Sequence, residues 1–262
     1  MEYQKPFIYI DTNFNPSDAL FIKMALDSFE FELVGLSANR SFMSSAAAGE
    51  NILGLVNSED LFLSVARNYD DKKSEKDRKI FTPQADYLED MDAYHNLYDI
   101  ASDCGRLDII ATGDLSNIAK SIRRYEEIVD YIDHIFMVLP DIGKTSENDL
   151  NDLDLILSSG IKLFLIDQKF TEDFTLTGEN LGKPKAEGKT LRKVLEDYDG
   201  QALTGPLLLY LSQSPEAFIF EERGLRVNFA EKIITKDSKR PKAYLVNKVN
   251  EESFYDYLKS KL

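Results

Sequence analysis

Phe7-Ile8-Tyr9-Ile10-Asp11-Thr12-Asn13-Phe14-Asn15-Pro16-Ser17-Asp18-Ala19 passes from an unbroken apolar run, through a loop of Asn, Pro and Ser, to the first apolar positions of a helix. Four apolar residues without polar alternation describe a strand covered on both faces, the pattern of a parallel sheet. Ala19, Leu20, Ile22, Met24, Ala25 and Leu26 then follow at helical spacing, so the unit reads strand, polar loop, helix. In open α/β folds such a loop stands beyond the carboxyl end of its strand, where ligands bind.

The unit recurs along the chain. Phe31–Leu36 reads as a second strand, Ala46–Val56 as a helix and Leu61–Leu63 as a third strand, before a charged, non-periodic surface excursion from Tyr69 to about Asp90. Met91–Cys104 reads as a helix that Gly105 ends, since glycine accepts the left-handed conformation common just past a helix. Leu107–Ala111 is the next buried strand, with a loop Thr112–Asn117 and a helix starting near Ile118. Ile135–Leu139, the acidic segment Asp141–Asp154, a helix closing before Ser159-Gly160, and Ile161–Ile166 continue the alternation. Beyond Phe170 the pattern weakens to a Lys183–Lys189 loop, a Leu191–Leu195 helix and an apolar helix Leu203–Leu211 interrupted by Gly205-Pro206. Short strands at Phe218–Phe220, Leu225–Val227 and Ala243–Val246 precede a C-terminal helix around Phe254–Leu258. Strands alternating with helices predict an α/β fold, a mainly parallel, doubly wound sheet with helices on both faces. No repeat and no Gly- or Ser-rich linker divides the chain, so one domain over residues 1–262 is expected. Three loops qualify by position as site loops: Asp11–Asp18, Ser37–Arg40 and Thr112–Asn117.

Composition narrows the partners. The 262 residues carry 31 Lys and Arg against 46 Asp and Glu, a net charge of −15. That argues against nucleic acid, whose binding rests on clustered cations, and against an anionic membrane surface. Cys104 is the one cysteine, so neither an intramolecular disulfide framework nor a Cys-rich metal site is available. The apolar run at Phe7–Ile10 is too short for a leader or a span, and a cytoplasmic protein is expected. His95, beside Tyr94 and Tyr98, reads as a packing or surface residue. His134, just before a strand, reads as a capping or hydrogen-bonding residue. The acids from Glu147 to Asp154 read as a solvated face and first helical turn. Cys104 lacks the basic neighbour a nucleophile needs.

The oxygens clustered between Asp11 and Asp18 suit a hard cation, and they equally suit an Asx-rich turn with Asp18 at the start of a helix. Order along the chain adds to this. The loop resembles the D-T-D-x-G-x-D-D-A motif of the inosine-uridine-preferring nucleoside hydrolases, matching at Asp11, Thr12, Asp18 and Ala19, with Asn13 and Ser17 replacing two motif aspartates. Ala111-Thr112-Gly113-Asp114-Leu115-Ser116-Asn117-Ile118-Ala119 is similar to the family's T-G-P-L-T-N-I-A, with Asp114 in place of its proline. Ser37-Ala38-Asn39 resembles an A-G-N loop, Ser159-Gly160 to Asp167 an S-G-x-P-I stretch, and Leu203–Leu211 an H-D-P-L-A helix in which Thr204-Gly205 stands for His-Asp. The similarity is collinear over roughly residues 5–210.

The resemblance implies a nucleoside-hydrolase fold, an N-ribohydrolase reaction, a nucleoside or ribose-like ligand and a homodimer or homotetramer. It also implies a Ca²⁺ ion that binds the ribose hydroxyls and the attacking water. Carried over residue by residue, Asp18 stands as a carboxylate ligand and Thr112 as a ligand through its backbone carbonyl. Asn13 stands in place of ligand and base, Ser17 in place of a ribose-binding carboxylate, and Gly205 at a lost carboxylate. Asp11 falls in the catalytic loop, while Asn39, Ser116 and Asn117 fall among the ligand contacts.

Cleaving an N-glycosidic bond passes through a ribosyl cation, so the site needs negative charge near the sugar and a base for water. An amide cannot take the proton, and losing general-base assistance alone costs about 10²- to 10⁴-fold. Asn13 and Gly205 also remove two charges from the ion's surroundings, and Ca²⁺ affinity follows ligand charge and count. Weak or absent catalysis, weak or lost Ca²⁺ binding and a retained ribose-sized pocket are therefore expected. Two alternatives remain open at this level. One is a working hydrolase with a rearranged metal site built on Asp11, Asp18 and Asp114. The other is a haloacid-dehalogenase-type phosphatase, for which Asp11 and Thr112 sit at superficially similar strand ends.

Overall fold

The computed structural model describes residues 5–39, 44–56, 61–66, 91–175, 177 and 200–261. The surface excursion at 69–90 and the loop and helix expected at 183–195 lie outside them. In chain order the described elements are β1 (Phe7–Thr12), α1 (Pro16–Leu26), β2 (Glu32–Ala38), α2 (Ser45–Leu55), β3 (Phe62–Val65), α3 (Ala93–Cys104), β4 (Leu107–Ala111) and α4 (Ser116–Arg124). They continue as β5 (Ile132–Leu139), α5 (Glu147–Ser158), β6 (Lys162–Asp167), a single helical turn α6 (Gln168–Thr171), α7 (Thr204–Gln213), β7 (Phe218–Asn228), β8 (Ile233–Lys236), β9 (Lys242–Val249) and α8 (Glu251–Lys261).

Nine strands form one sheet in the order β3-β2-β1-β4-β5-β6-β9-β7-β8. Pairing is parallel from β3 across to β9, and β7 runs antiparallel to both β9 and β8. Ile8, Ile10, Leu36, Ile110, Phe136 and Phe164 face one core, which includes buried residues of α1, α2, α7 and α8. Tyr9, Ile109, Ile135 and Leu165 face the other, built with α3, α4 and α5. Burial on both faces is why the strands read as continuous apolar runs. The order reverses between β1 and β4, so a crevice opens at their carboxyl ends.

Local chemistry fixes several element ends. Gly105, at φ 69°, closes α3 in the left-handed conformation. Ser146 caps α5 by accepting from the Asp149 N–H. Of the acids in that helix, Asp152 is buried and pairs with Arg123, and Asp154 accepts from the Val227 N–H and from Arg240. The solvated-face reading therefore holds for only part of the run.

Three further expectations change. Gly205-Pro206 does not interrupt a helix but opens it. Both residues fall in the first turn of α7, where a missing proline N–H breaks no helical bond. Phe218–Phe220 and Leu225–Val227 are two half-buried stretches of the single strand β7, whose polar middle hid the continuity. His134 lies inside β5 rather than before it, and its Nδ1 is 2.7 Å from Asp108 Oδ1 on β4. His95 is a packing residue: it meets Tyr94 and hydrogen-bonds Tyr125.

Candidate functional site

Asp11 is paired in register with Ser37 on β2 and with Ala111 on β4. The Asn39 N–H donates to the Thr12 carbonyl and the Thr112 N–H to the Asp11 carbonyl. The three loops chosen from the sequence thus meet at one edge, with Asp11, Asn39 and Thr112 at neighbouring strand ends. Asp11, Thr12, Asp18 and Asn39 are all fully shielded from solvent.

Successive side chains on a strand point to opposite faces, so Asp11 and Thr12 serve two separate networks. On the α4 side, Asp11 Oδ1 accepts from Ser37 Oγ at 2.5 Å and from Asn117 Nδ2 at 2.9 Å, while Asp11 Oδ2 has no partner among the described residues. On the α1 side, Asp18 Oδ2 accepts from Thr12 Oγ1 at 2.7 Å, Thr112 Oγ1 at 2.9 Å and the Asn15 N–H at 3.2 Å. Asp18 Oδ1 is buried without a partner among the described residues. Burial pushes the Asp11 carboxyl up to about 7, against the pull of Ser37, Asn117 and, more weakly, the Asn39 side chain, and the charge of Asp114 adds to the rise. Burial likewise raises Asp18 to about 6, partly offset by Thr12, Thr112 and the Asn15 N–H.

The loop between them is an N-cap. Asn15 caps α1, its side chain accepting from the Ser17 and Asp18 N–H groups, and Asp18 returns the bond to the Asn15 N–H as a capping box. Ser17 Oγ donates to Asn15 Oδ1 at 2.8 Å, and Asn13 Oδ1 accepts from the Asn15 N–H at 3.1 Å and from Asn15 Nδ2 at 3.3 Å. Phe14, buried at positive φ, bends the chain between these two asparagines and donates its N–H to Thr12 Oγ1. Both residues that replace motif aspartates are thereby spent on local hydrogen bonds.

The third strand end holds Asn39. Its Nδ2 donates to the Asp114 carbonyl at 3.1 Å, and its Oδ1 is buried without a partner among the described residues. Gly113 lies flat against this amide, for a methyl group there would stand 2.6 Å from Asn39 Nδ2 and 2.7 Å from Cγ. Ser116 donates both its N–H and its Oγ to Asp114 Oδ1, so it fixes the Asp114 turn. Sequence reading missed Thr12, Ser37 and Asn15 as partners, although each is an oxygen- or nitrogen-bearing residue beside a chosen one. It also missed Phe21, an apolar residue with no signal of its own.

No family model matches the sequence, and no curated protein matches it. Solved structures do match the fold. A plant nucleoside hydrolase superposes with a TM-score of 0.80 at 18% identity over 98% of this chain and 98% of its own. A purine-preferring ribonucleoside hydrolase from Gardnerella vaginalis gives 0.82 at 18% identity over 97% of each chain. An inosine-uridine-preferring nucleoside hydrolase from Bacillus anthracis gives 0.78 at 12% identity over 98% of each. The fold is that of the nucleoside hydrolases.

The residues present do not fit the Ca²⁺ ion that the resemblance implies. Such an ion asks for six to eight oxygens, several of them charged. Asn13 is turned to Asn15, one Asp18 oxygen is filled by three donors, and Gly205 brings no side chain. No cluster of three or more His, Cys, Asp or Glu able to hold a metal occurs among the described residues. Thr112 meets Asp18 through its hydroxyl. An aspartyl phosphatase does not fit either, because the Asp11 carboxylate is held by Ser37 and Asn117 on the α4 side, away from Asn13. No described helix is long and apolar enough to cross a membrane.

Proposed function

We propose that this chain binds a ribonucleoside or another ribose-like molecule at the β1–β4 crevice, and that it cleaves the N-glycosidic bond slowly or not at all. What supports the reading is the state of Asn13 and Ser17. The two side chains that would have to activate water and hold the sugar are both hydrogen-bonded to Asn15, the residue that caps α1. Asp11 is no substitute base, since it faces α4 and Ser37 rather than the Asn13 loop. Asp18 and Asn39 remain, each with a buried acceptor oxygen that has no hydrogen-bond partner among the described residues. Roles follow from position: Asp18, Asn39 and Thr112 contact the ligand, while Asp11, Asn117 and Ser116 hold the strand ends and the Asp114 turn in place.

The test is a panel of inosine, uridine, adenosine and guanosine. Calorimetry is expected to show saturable binding that weakens about tenfold or more in Asn39→Ala, the scale of one or two lost hydrogen bonds. A reducing-sugar assay is expected to show turnover far below the ordinary range of about 1–10³ per second. Turnover of several per second by the unmodified protein would overturn the reading in favour of a rearranged, working hydrolase.

A further inference from the structure

Gly205 is the second residue of α7, and its Cα faces α1. A methyl group there would stand 2.7 Å from Phe21 Cβ, 2.8 Å from Cγ and 2.9 Å from Cδ1. Real Cβ atoms do not approach so closely. Rotating the ring gives no relief, because the first of these atoms is attached to the backbone and Phe21 is fully buried. Phe21 follows Asp18 by three residues on α1, so the two lie on neighbouring faces of the same turn. Helices α1 and α7 pack directly on each other.

We infer that Phe21, seated in the notch left by Gly205, fixes this site as one that takes a hydroxyl-bearing ligand without a divalent cation. The inference rests on the ligand pocket proposed above and names what that pocket accepts. The resemblance places a carboxylate ligand at position 205, and Phe21 Cβ and Cγ exclude even the Cβ of one. The ring-in-notch contact ties the two helices together instead. The tie from α1 to the sheet is Asp18, with donors from Thr12, Thr112 and Asn15. What the edge still offers is acceptor oxygen: Asp18 Oδ1 and Asn39 Oδ1, both buried and unpartnered among the described residues. Acceptors of this kind select hydroxyl or N–H donors on the ligand directly. Restoring acids by Asn13→Asp, Ser17→Asp and Gly205→Asp therefore fails to rebuild a cation site while Phe21 is present.

A mutant cycle in the full chain tests this, read by thermal midpoint and calorimetry. Gly205→Ala alone is expected to lower the midpoint by roughly 5–10 °C, the scale of overpacking in a domain of this size. In Phe21→Gly, which removes Cβ together with the ring, the same change is expected to be neutral or stabilising, whereas in Phe21→Leu, which keeps Cβ and Cγ, it is expected to cost as much as in the unmodified protein. The triple reversion is expected to bind no Ca²⁺, and chelator is expected to leave the wild-type midpoint and inosine affinity unchanged within twofold. Two results would overturn the inference: a triple reversion that binds Ca²⁺ at micromolar levels with an undisturbed midpoint, or a Gly205→Ala cost that is the same in Phe21→Gly as in the unmodified protein. Absence of inosine binding would instead remove the proposed ligand, while the cycle would still decide the role of Phe21.

Discussion

Gly113→Ala is expected to weaken nucleoside binding about tenfold to a hundredfold and to lower stability by about 1–3 kcal/mol, the usual cost of one methyl too many in a closed site. Gly113 has an ordinary backbone conformation, so the requirement is one of space. The Asn39 amide lies across the glycine and is itself fully buried, with no room to retreat. A methyl group must either push Asn39 off the Asp114 carbonyl or push the Asp114 turn away from β4. The first outcome loses the orientation of Asn39 Oδ1, and the second loosens the start of α4. Adding Asn39→Ala separates these effects. The double variant is expected to recover most of the lost stability, because the methyl then fills the space of the amide, while nucleoside binding stays lost. Recovery of neither, or full binding in Gly113→Ala, would show that Asn39 is not held by this contact.

The parallel half of the fold was legible because its chemistry is local. A strand buried on both faces has to be apolar throughout, and β1, β4 and β6 announce themselves within five or six residues. The same rule explains the failure at β7. That strand belongs to the antiparallel end of the sheet, and Glu221-Glu222-Arg223 in its middle form ion pairs at a partly exposed edge, which reads as a loop. Gly205-Pro206 misled for a different reason: its meaning depends on where the helix begins, and the residue at the N-cap is Leu203, whose side chain gives no capping signal.

At the site, sequence order was enough to bring Asp11, Asn39 and Thr112 together, since strand ends in a doubly wound sheet meet at the switch point. It could not reveal the partition of Asp11 and Asp18 onto opposite faces. That depends on which of two adjacent residues, Asp11 or Thr12, points toward α1. The sequence likewise showed that Asn13 and Ser17 are not acids, but not that both are hydrogen-bonded to the capping Asn15. Phe21 and Gly205 were invisible as a pair, because 184 residues separate them and neither carries a reactive group.

Between pH 5 and pH 8 in chelating buffer, the wild-type midpoint is expected to fall by roughly 10–20 °C, and Asp11→Asn is expected to remove about half of that fall. The sign follows from the direction of the shift. Burial raises the folded-state value of Asp11 to about 7, above the ordinary value it regains on unfolding. A raised value means the folded state holds the proton more tightly, so the associated stability is fully present below about pH 4 and is lost as pH rises through about 7. Three orders of magnitude in proton affinity correspond to about 4 kcal/mol, and Asp18, raised to about 6, adds about 3 kcal/mol over a slightly lower window. Together they approach the whole stability of an ordinary domain. A net charge of −15 works in the same direction, because the repulsion it represents grows as the remaining acids ionise. Asp11→Asn isolates the first contribution with little structural cost. Its amide oxygen still accepts from Ser37 and Asn117, while the weaker pull of the Asn39 side chain on the carboxylate is given up. A midpoint curve for Asp11→Asn that runs parallel to wild type across this range would show that Asp11 is ionised in the folded protein at both ends, and the burial argument for this edge of the sheet would fail with it.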